Sequence, residues 1–182
     1  MDKCTEKGIV VFNTPNAGAN AIKELVLCEL FLGGRKIVEG ANWVQSLKGK
    51  EGVSKLVEKE KAKFAGQEIR GKRLGVIGLG AVGMTVANAA IELGMNVVGY
   101  DPPLPAKDAR FVNHRVQFTA DRNEIFKTCD FITLHVPLTP ETKNMVNKKT
   151  LSVCKDGVVI LNNACSALVA IADIIAAVAS GK

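Results

Sequence analysis

The sequence predicts an α/β domain built on a doubly wound parallel sheet, and three observations support this prediction. Short apolar runs alternate with longer segments in which apolar residues recur at helical spacing. Hydrophobic residues make up 47% of the chain and aromatic residues only 5%, which favours an aliphatic core of buried parallel strands. A length of 182 residues is sufficient for one such domain but short for two. We therefore expect residues 1–182 to form a single domain.

The N-terminal part of the chain is expected to form a strand followed by a helical segment. Residues 8–13 are a short apolar run, which predicts a strand, and the Pro and Gly residues of 14–20 end it. From Ala21 to about Leu47 apolar residues recur at helical spacing, and the pair Gly33–Gly34 is expected to bend or break this helix. Its wide apolar face is compatible with a dimer interface, but packing inside the domain is the simpler interpretation.

Five further strands are expected to alternate with helices. The strands are predicted at residues 72–78, 96–101, 115–118, 130–136 and 157–161. Pro102–Pro103 ends the second of them, and helices are predicted from Val82 to Leu93, ending at Gly94, and from about Asp121. This alternation is typical of a parallel sheet covered by helices on both faces, because each crossover between parallel strands needs a helix. The expected order of the five strands resembles 3-2-1-4-5.

The distribution of charge argues against two classes of partner. The formal net charge is +6, and nearly all of the excess lies in residues 48–73, which contain nine Lys or Arg and four Glu. Nucleic-acid binding would require aromatic residues among these charges, and Phe64 is the only one in that segment. We interpret the segment as a solvated helix face and loop, or as a field that attracts a phosphorylated substrate. A membrane span is disfavoured because polar residues interrupt the most apolar stretch, residues 158–179.

The five cysteines are odd in number, scattered along the chain and without a CxxC pair. This pattern predicts neither a disulfide framework nor a zinc site. Residues 1–8 are charged and lack the apolar core of a secretory signal. Together these observations favour a reducing cytoplasm.

A glycine-rich turn that matches G-x-G-x-x-G at Gly78, Gly80 and Gly83 is the clearest chemical signal. Gly78 permits a tight turn, Gly80 lets the backbone approach a pyrophosphate, and Gly83 allows a helix to pack closely against a strand. The free N–H groups of Ala81 and Val82 would then face the phosphates at the helix N-terminus. The motif therefore predicts a Rossmann-type, dinucleotide-binding domain.

The surroundings of this motif make it specific. It follows an apolar strand, opens a helix, and is followed by Asp101, 18 residues after Gly83, at the end of the next strand. Asp101 would accept hydrogen bonds from the ribose hydroxyls and repel a 2′-phosphate, so NAD is predicted over NADP. A flavin dinucleotide uses the same fingerprint and stays open. A glycine-rich turn with no ligand is the less favoured interpretation.

Several separate motifs resemble those of the D-2-hydroxyacid dehydrogenases. They are residues 75–83, 94–102 and 129–142, and residues 6–15 and 23–27 resemble the start of that family's nucleotide-binding domain. The resemblance implies NAD as the cofactor and, in a longer parent enzyme, hydride transfer between NAD and a D-2-hydroxy acid. It also implies a homodimer, because the family usually dimerises through this domain.

The resemblance places further candidate site residues. Ala81 and Val82 fall where backbone amides bind the pyrophosphate, although family members commonly have Arg at the position of Ala81. His135, Val136 and Pro137 fall where a strand end forms a wall of the adenosine pocket. His135 is therefore not expected to act as a catalytic base.

Asn163, Ala164 and Cys165 fall where the family has a small residue followed by an Arg that binds the substrate carboxylate and carbonyl. A thiol supplies neither the charge nor the planar fork of a guanidinium. The resemblance implies that the family's catalytic His and its Glu partner lie beyond the position of Lys182, and that the flanking segments of the substrate domain are missing. We therefore expect a cofactor domain with no intact catalytic residue. A nucleophilic role for Cys165 is disfavoured, because no neighbouring His or acid pairs with it in sequence.

Three alternatives stay open at this point. The chain could be a non-enzymatic, NAD-sensing scaffold, which the Cys at the Arg position favours. It could belong to a related dehydrogenase of the same family that acts on formate, glyoxylate or another 2-oxoacid. It could also be a helix-mediated oligomerisation module, which rests only on the apolar face of residues 21–47. The second histidine, His114, lies in a polar stretch and is expected at the surface.

Overall fold

One parallel sheet of five strands forms the centre of the molecule. The computed structural model describes residues 2–14, 16–102 and 110–182, so Pro15 and Pro103, which were expected to end strands, lie outside the described residues. The strands are β1 (Arg73–Ile77), β2 (Asn96–Tyr100), β3 (Gln117–Phe118), β4 (Phe131–Leu134) and β5 (Val159–Asn162). Their order is β3-β2-β1-β4-β5, and every pair is parallel. The predicted fold class and strand order are confirmed.

Helices cover both faces of this sheet. They are α1 (Asp2–Thr5), α2 (Ala19–Arg35), α3 (Ile37–Gln45), α4 (Val53–Glu60), α5 (Ala81–Glu92), α6 (Arg122–Thr128), α7 (Lys148–Val153) and α8 (Ile171–Ala179), with 3-10 turns at Lys61–Phe64 and Ser166–Leu168. Side chains of α2 and α5 form one apolar cluster with Val76, and those of α6 and α7 form a second cluster with Ile77. Neighbouring residues of β1 thus point to opposite faces, as the two-residue period of a strand requires.

The predicted strand at residues 8–13 is wrong. Residues 9–14 have no regular structure, and the side chains of Val10 and Phe12 are 74% and 89% exposed. The chain instead turns at Gly8, whose φ is +67°, and the N–H of Ile9 donates to the carbonyl oxygen of Cys4 at 2.9 Å. An apolar run becomes a stable strand only where another strand pairs with it and a core covers one face. Among the described residues, no strand of the sheet pairs with this run.

The helical run does break, but two residues beyond the pair Gly33–Gly34, where a bend or break was expected. Both glycines lie inside α2, and the chain breaks at Lys36, whose φ of 49° and ψ of 36° are left-handed. A Cβ at Gly33 would lie 2.9 Å from Cγ1 of Val159, and a Cβ at Gly34 would lie 3.1 Å from the carbonyl oxygen of Gln67. These glycines therefore serve the close packing of α2 on its neighbours.

The remaining elements agree with the sequence patterns to within a few residues. α5 ends before Gly94, whose φ is +80°, and Asp121 caps α6 by accepting a hydrogen bond from the N–H of Asn123 at 2.9 Å. The Lys residues from 48 to 63 are exposed on α4 and the turns beside it, which agrees with a solvated face. Among the described residues, no helix is both long and apolar enough to cross a membrane.

Truncation of a buried leucine on α2 tests this packing. Leu30 is fully buried, whereas Leu138, which follows β4, is 47% exposed. We expect Leu30→Ala to lower the free energy of unfolding by about 2–5 kcal/mol, because it removes buried methyl groups and leaves a cavity. The matched change Leu138→Ala is expected to stay within about 0.5 kcal/mol of the unmodified chain. Denaturant titration followed by circular dichroism measures both, and equal losses would contradict the described burial.

Candidate cofactor-binding site

Four strands end side by side at one edge of the sheet. In the strand register Ile77 lies opposite both Tyr100 and Leu134, and Leu134 lies opposite Asn162. Neighbouring strands are about 4.8 Å apart, so the residues that follow them form a row about 14 Å long. We call this set the carboxyl-edge row; in order across the sheet it consists of Asp101, Gly78, His135 and Asn163. Ligands of open α/β sheets bind outside this edge, where the strand order reverses.

The glycine-rich turn between β1 and α5 packs closely against its neighbours at Gly78 and Gly83 and faces open space at Gly80. Gly78 has φ of +94°, and a Cβ there would lie 2.6 Å from the carbonyl oxygen of His135. A Cβ at Gly83 would overlap the carbonyl oxygen of Gly78. A Cβ at Gly80 would meet no atom within 4 Å. This geometry supports the predicted roles: a tight turn at Gly78, close helix packing at Gly83, and open space for a ligand beside Gly80.

The N-terminus of α5 lies at this open space and offers backbone donors. Gly80 is the N-cap and contributes no side-chain hydrogen bond, and its carbonyl oxygen accepts the N–H of Met84 at 2.9 Å. The N–H groups of Ala81, Val82 and Gly83 precede that bond, so they have no partner one turn back in the helix. Such donors, together with the positive end of the helix dipole, bind phosphate groups.

Asp101 is bound directly to the glycine-rich turn. Its Oδ2 accepts a hydrogen bond from the N–H of Leu79 at 2.7 Å, and the residue is half-buried. Sequence spacing predicted Asp101 as a ribose ligand but did not predict this contact. The bond fixes one carboxylate oxygen, and the other, Oδ1, is the atom that the predicted ribose contact would use. The carboxylate is therefore positioned before any ligand binds.

His135 is held in the row as a neutral group. The backbone N–H of His135 donates to the carbonyl oxygen of Ile77 at 2.7 Å, and the ring atom Nε2 lies 2.9 Å from Oγ1 of the fully buried Thr133. Burial lowers the pKa of His135 to about 4, so the imidazole carries no charge at neutral pH. Val136 contacts the Gly78 turn, and Pro137, which follows it, is exposed.

The loop after β5 contains the three remaining sequence-predicted residues. Nδ2 of Asn163 donates to Oε2 of Glu29 on α2 at 2.7 Å. Ala164 is exposed, and Cys165 is a free thiol that packs against the apolar cluster of α6 and α7. Sequence reasoning missed Glu29. The available signal was an acid between the buried residues Val26 and Leu30, on the face of the helix that points inward.

His114 and the five cysteines complete the comparison with the sequence. His114 is exposed, as expected. All five cysteines are free thiols, and burial raises the pKa of Cys129 and of Cys154. The thiols of Cys129 and Cys154 therefore stay protonated at neutral pH.

Comparison with known proteins supports the class of protein that this geometry indicates. Residues 29–182 match the family described as D-isomer specific 2-hydroxyacid dehydrogenase, NAD binding domain. The chain is 37% identical over 169 residues to D-3-phosphoglycerate dehydrogenase of Methanocaldococcus jannaschii, covering 93% of this chain and 30% of that protein. It is 38% identical over 164 residues to hydroxypyruvate reductase of Thermotoga maritima, covering 90% of this chain and 48% of that one.

A solved structure gives the same result. D-lactate dehydrogenase from Aquifex aeolicus, complexed with NAD and lactic acid, matches with a TM-score of 0.80 and 28% identity, over 100% of this chain and 50% of that one. The chain thus spans between about a third and a half of the length of these relatives. It belongs to the D-isomer specific 2-hydroxyacid dehydrogenase family and corresponds to the NAD-binding domain. The predicted family and cofactor are confirmed.

The depressed pKa of His135 predicts a specific pH dependence of stability. The pKa is about 4 in the folded chain and about 6.5 in an unfolded one, so between these values the unfolded state binds the extra proton. We expect the free energy of unfolding to fall as pH is lowered from about 6.5 towards 4, and His135→Gln to remove part of this fall. Denaturant titrations at several pH values measure the slope.

His114→Gln is the matched control for that experiment, because His114 is the second of only two histidines and is exposed. We expect it to leave the slope unchanged. An identical slope in the His135→Gln chain and the unmodified one would contradict a buried, neutral imidazole.

Proposed function

We propose that this chain is the cofactor domain of an enzyme that transfers hydride between NAD and a D-2-hydroxy acid, with 3-phosphoglycerate, at the entry to serine synthesis, as its substrate. The curated relatives with the name D-3-phosphoglycerate dehydrogenase, at 34 to 37% identity, support the choice of substrate. The observation that carries the cofactor role is the carboxyl-edge row itself. In this row the N-terminus of α5, whose free N–H groups suit an anion, lies next to a fixed carboxylate and close to the point where the strand order reverses.

The residues at this edge fit a dinucleotide in a defined direction. The N–H groups of Ala81 and Val82 would bind the pyrophosphate, and the open space at Gly80 would admit it. Asp101 would accept from the adenosine ribose, and the half-buried Val136 and neutral His135 would form an uncharged wall. NAD, when bound, supplies the group that accepts or donates the hydride. The protein's part is to bind and orient it.

The loop after β5 supports a further proposal, that the 182-residue chain alone does not catalyse the reaction. Cys165 stands where the family has an Arg that binds the substrate carboxylate, and a half-buried thiol offers no positive charge. The same substitution favours a second candidate function, an NAD-sensing scaffold in which cofactor occupancy controls association. A sister dehydrogenase is a further candidate, because hydroxypyruvate reductase is as similar to the chain as phosphoglycerate dehydrogenase is.

We also propose that the chain forms a homodimer in the cytoplasm. Apolar side chains are exposed along α2 and α3, including Leu25 at 50%, Phe31 at 40% and Val38 at 52%. Exposed apolar side chains on neighbouring helices are typical of a protein interface. The free thiols of all five cysteines are compatible with a reducing compartment.

Calorimetric titration with NAD and with NADP tests the cofactor role. We expect the 182-residue chain to bind NAD and to prefer it over NADP, because the Asp101 carboxylate repels a 2′-phosphate. Asp101→Asn keeps an acceptor for the N–H of Leu79 but removes the charge. It should therefore reduce the ratio of NAD affinity to NADP affinity about tenfold. Asp156→Ala, at an exposed carboxylate distant from the row, is the control. An unchanged preference in Asp101→Asn would contradict the assigned role.

Absorbance at 340 nm tests the proposed inactivity. The chain at high concentration, with NAD and 3-phosphoglycerate, should form NADH no faster than a blank without protein. A rate proportional to the amount of protein would show that the chain contains a complete catalytic site, and would overturn this proposal.

A further inference from the structure

Two consecutive asparagines at the end of β5 organise the loop that follows in different ways. The side chain of Asn162 binds the loop to itself: Nδ2 donates to the carbonyl oxygen of Cys165 at 2.9 Å, and Oδ1 accepts the N–H of Ala164 at 3.2 Å. The side chain of Asn163 binds the loop to another element, because its Nδ2 donates to Glu29 on α2 at 2.7 Å. Asn162 thus fixes the conformation of the loop, and Asn163 attaches the loop to α2.

Glu29 is suited to hold this loop. It is half-buried on the inward face of α2, between Val26 and Leu30, both fully buried, so its backbone is fixed by the core. A hydrogen bond to a carboxylate is stronger than one between neutral groups, and partial burial reduces competition from water. The contact joins residues 134 positions apart in sequence, so it fixes the loop relative to a distant segment.

The other end of the loop is fixed as well. The N–H of Asn144 donates to the carbonyl oxygen of Ala167 at 2.8 Å, and the N–H of Val146 donates to that of Leu168 at 3.1 Å. Residues 163–166 are therefore held on both sides. Without the hydrogen bond to Glu29, the end of the loop that is nearest the carboxyl-edge row would lose its attachment to α2.

The position of the loop in the row indicates which half of a dinucleotide it serves. Asp101 lies on the β2 side of the glycine-rich turn and would bind the adenosine ribose, and the pyrophosphate would lie at α5. The second nucleoside must then extend to the opposite side, towards the loop after β5 that contains Asn163. We propose that Glu29 and Asn163 form a positioning pair that holds residues 163–166 against the nicotinamide half of NAD. This inference rests on the proposed cofactor role.

Titration with two ligands tests the pair, since ADP-ribose lacks only the nicotinamide of NAD. We expect Glu29→Leu to weaken NAD binding about fivefold and to change ADP-ribose binding by less than about twofold, because the lost bond supports only one half of the site. Glu24→Leu is the matched control, since Glu24 lies on the same helix and accepts from Asn20 at 2.8 Å in an exposed position. It should alter neither affinity.

Exchanging the hydrogen-bond donor and acceptor between residues 29 and 163 distinguishes a positioning role from a general loss of structure. Asn163→Asp places two carboxylates in contact and should weaken NAD binding at least as much as Glu29→Leu does. Adding Glu29→Gln restores one donor and one acceptor in the reverse order, and should recover most of the affinity.

Each outcome bears on a distinct claim. Equal weakening of NAD and ADP-ribose by Glu29→Leu, or no rescue in the double variant, would overturn the positioning pair while leaving the cofactor role intact. An unmodified, folded chain that binds neither ligand would overturn the cofactor role, and the pair with it.

Discussion

The close packing of the turn between β1 and α5 determines the position of the other groups at the candidate site. Gly78 lies against the backbone of His135, and Gly83 lies against the carbonyl of Gly78, at separations that no side chain would permit. These contacts hold α5 close against the sheet. The N–H groups at the N-terminus of α5 therefore lie at the carboxyl edge of the sheet. A larger residue at either glycine would displace the helix end, and the phosphate-binding donors would move with it.

Charge is distributed unevenly along the carboxyl-edge row, and the distribution matches the parts of a dinucleotide. The carboxylate of Asp101 lies at one side, the positive end of the α5 dipole lies at the centre, and the neutral His135 follows. A ribose needs acceptors, a pyrophosphate needs donors, and a nucleoside base packs against an uncharged surface. At the far side lies the loop that contains Asn163 and the half-buried thiol of Cys165.

Local patterns were sufficient to predict the part of the fold that binds the cofactor. The strand, glycine-rich turn, helix and second strand of residues 73–100 are contiguous, and each leaves its own periodicity in the sequence. Asp101 could be found because it ends one of those strands. The apolar run at residues 8–13 has the same local pattern as a strand, but strand formation depends on a partner elsewhere, which the pattern does not contain.

The contacts that sequence patterns could not predict are long-range. Gly33 and Gly34 look like helix breakers, yet their role is set by Val159 and Gln67, which lie far along the chain. The bond between Glu29 and Asn163 likewise depends on how α2 is placed over β5. Such contacts follow from tertiary packing, and propensity is a weak guide to them.

Amide NMR spectra of the chain, recorded during titration with NAD, test the central claim most directly. If the carboxyl-edge row is the cofactor site, saturable shifts should be largest for residues 78–83, for Asp101 and for His135, and should extend to residues 163–165. Shifts centred at the opposite edge of the sheet, near Lys72 and Gly157, or no saturable shifts in a folded sample, would contradict the account.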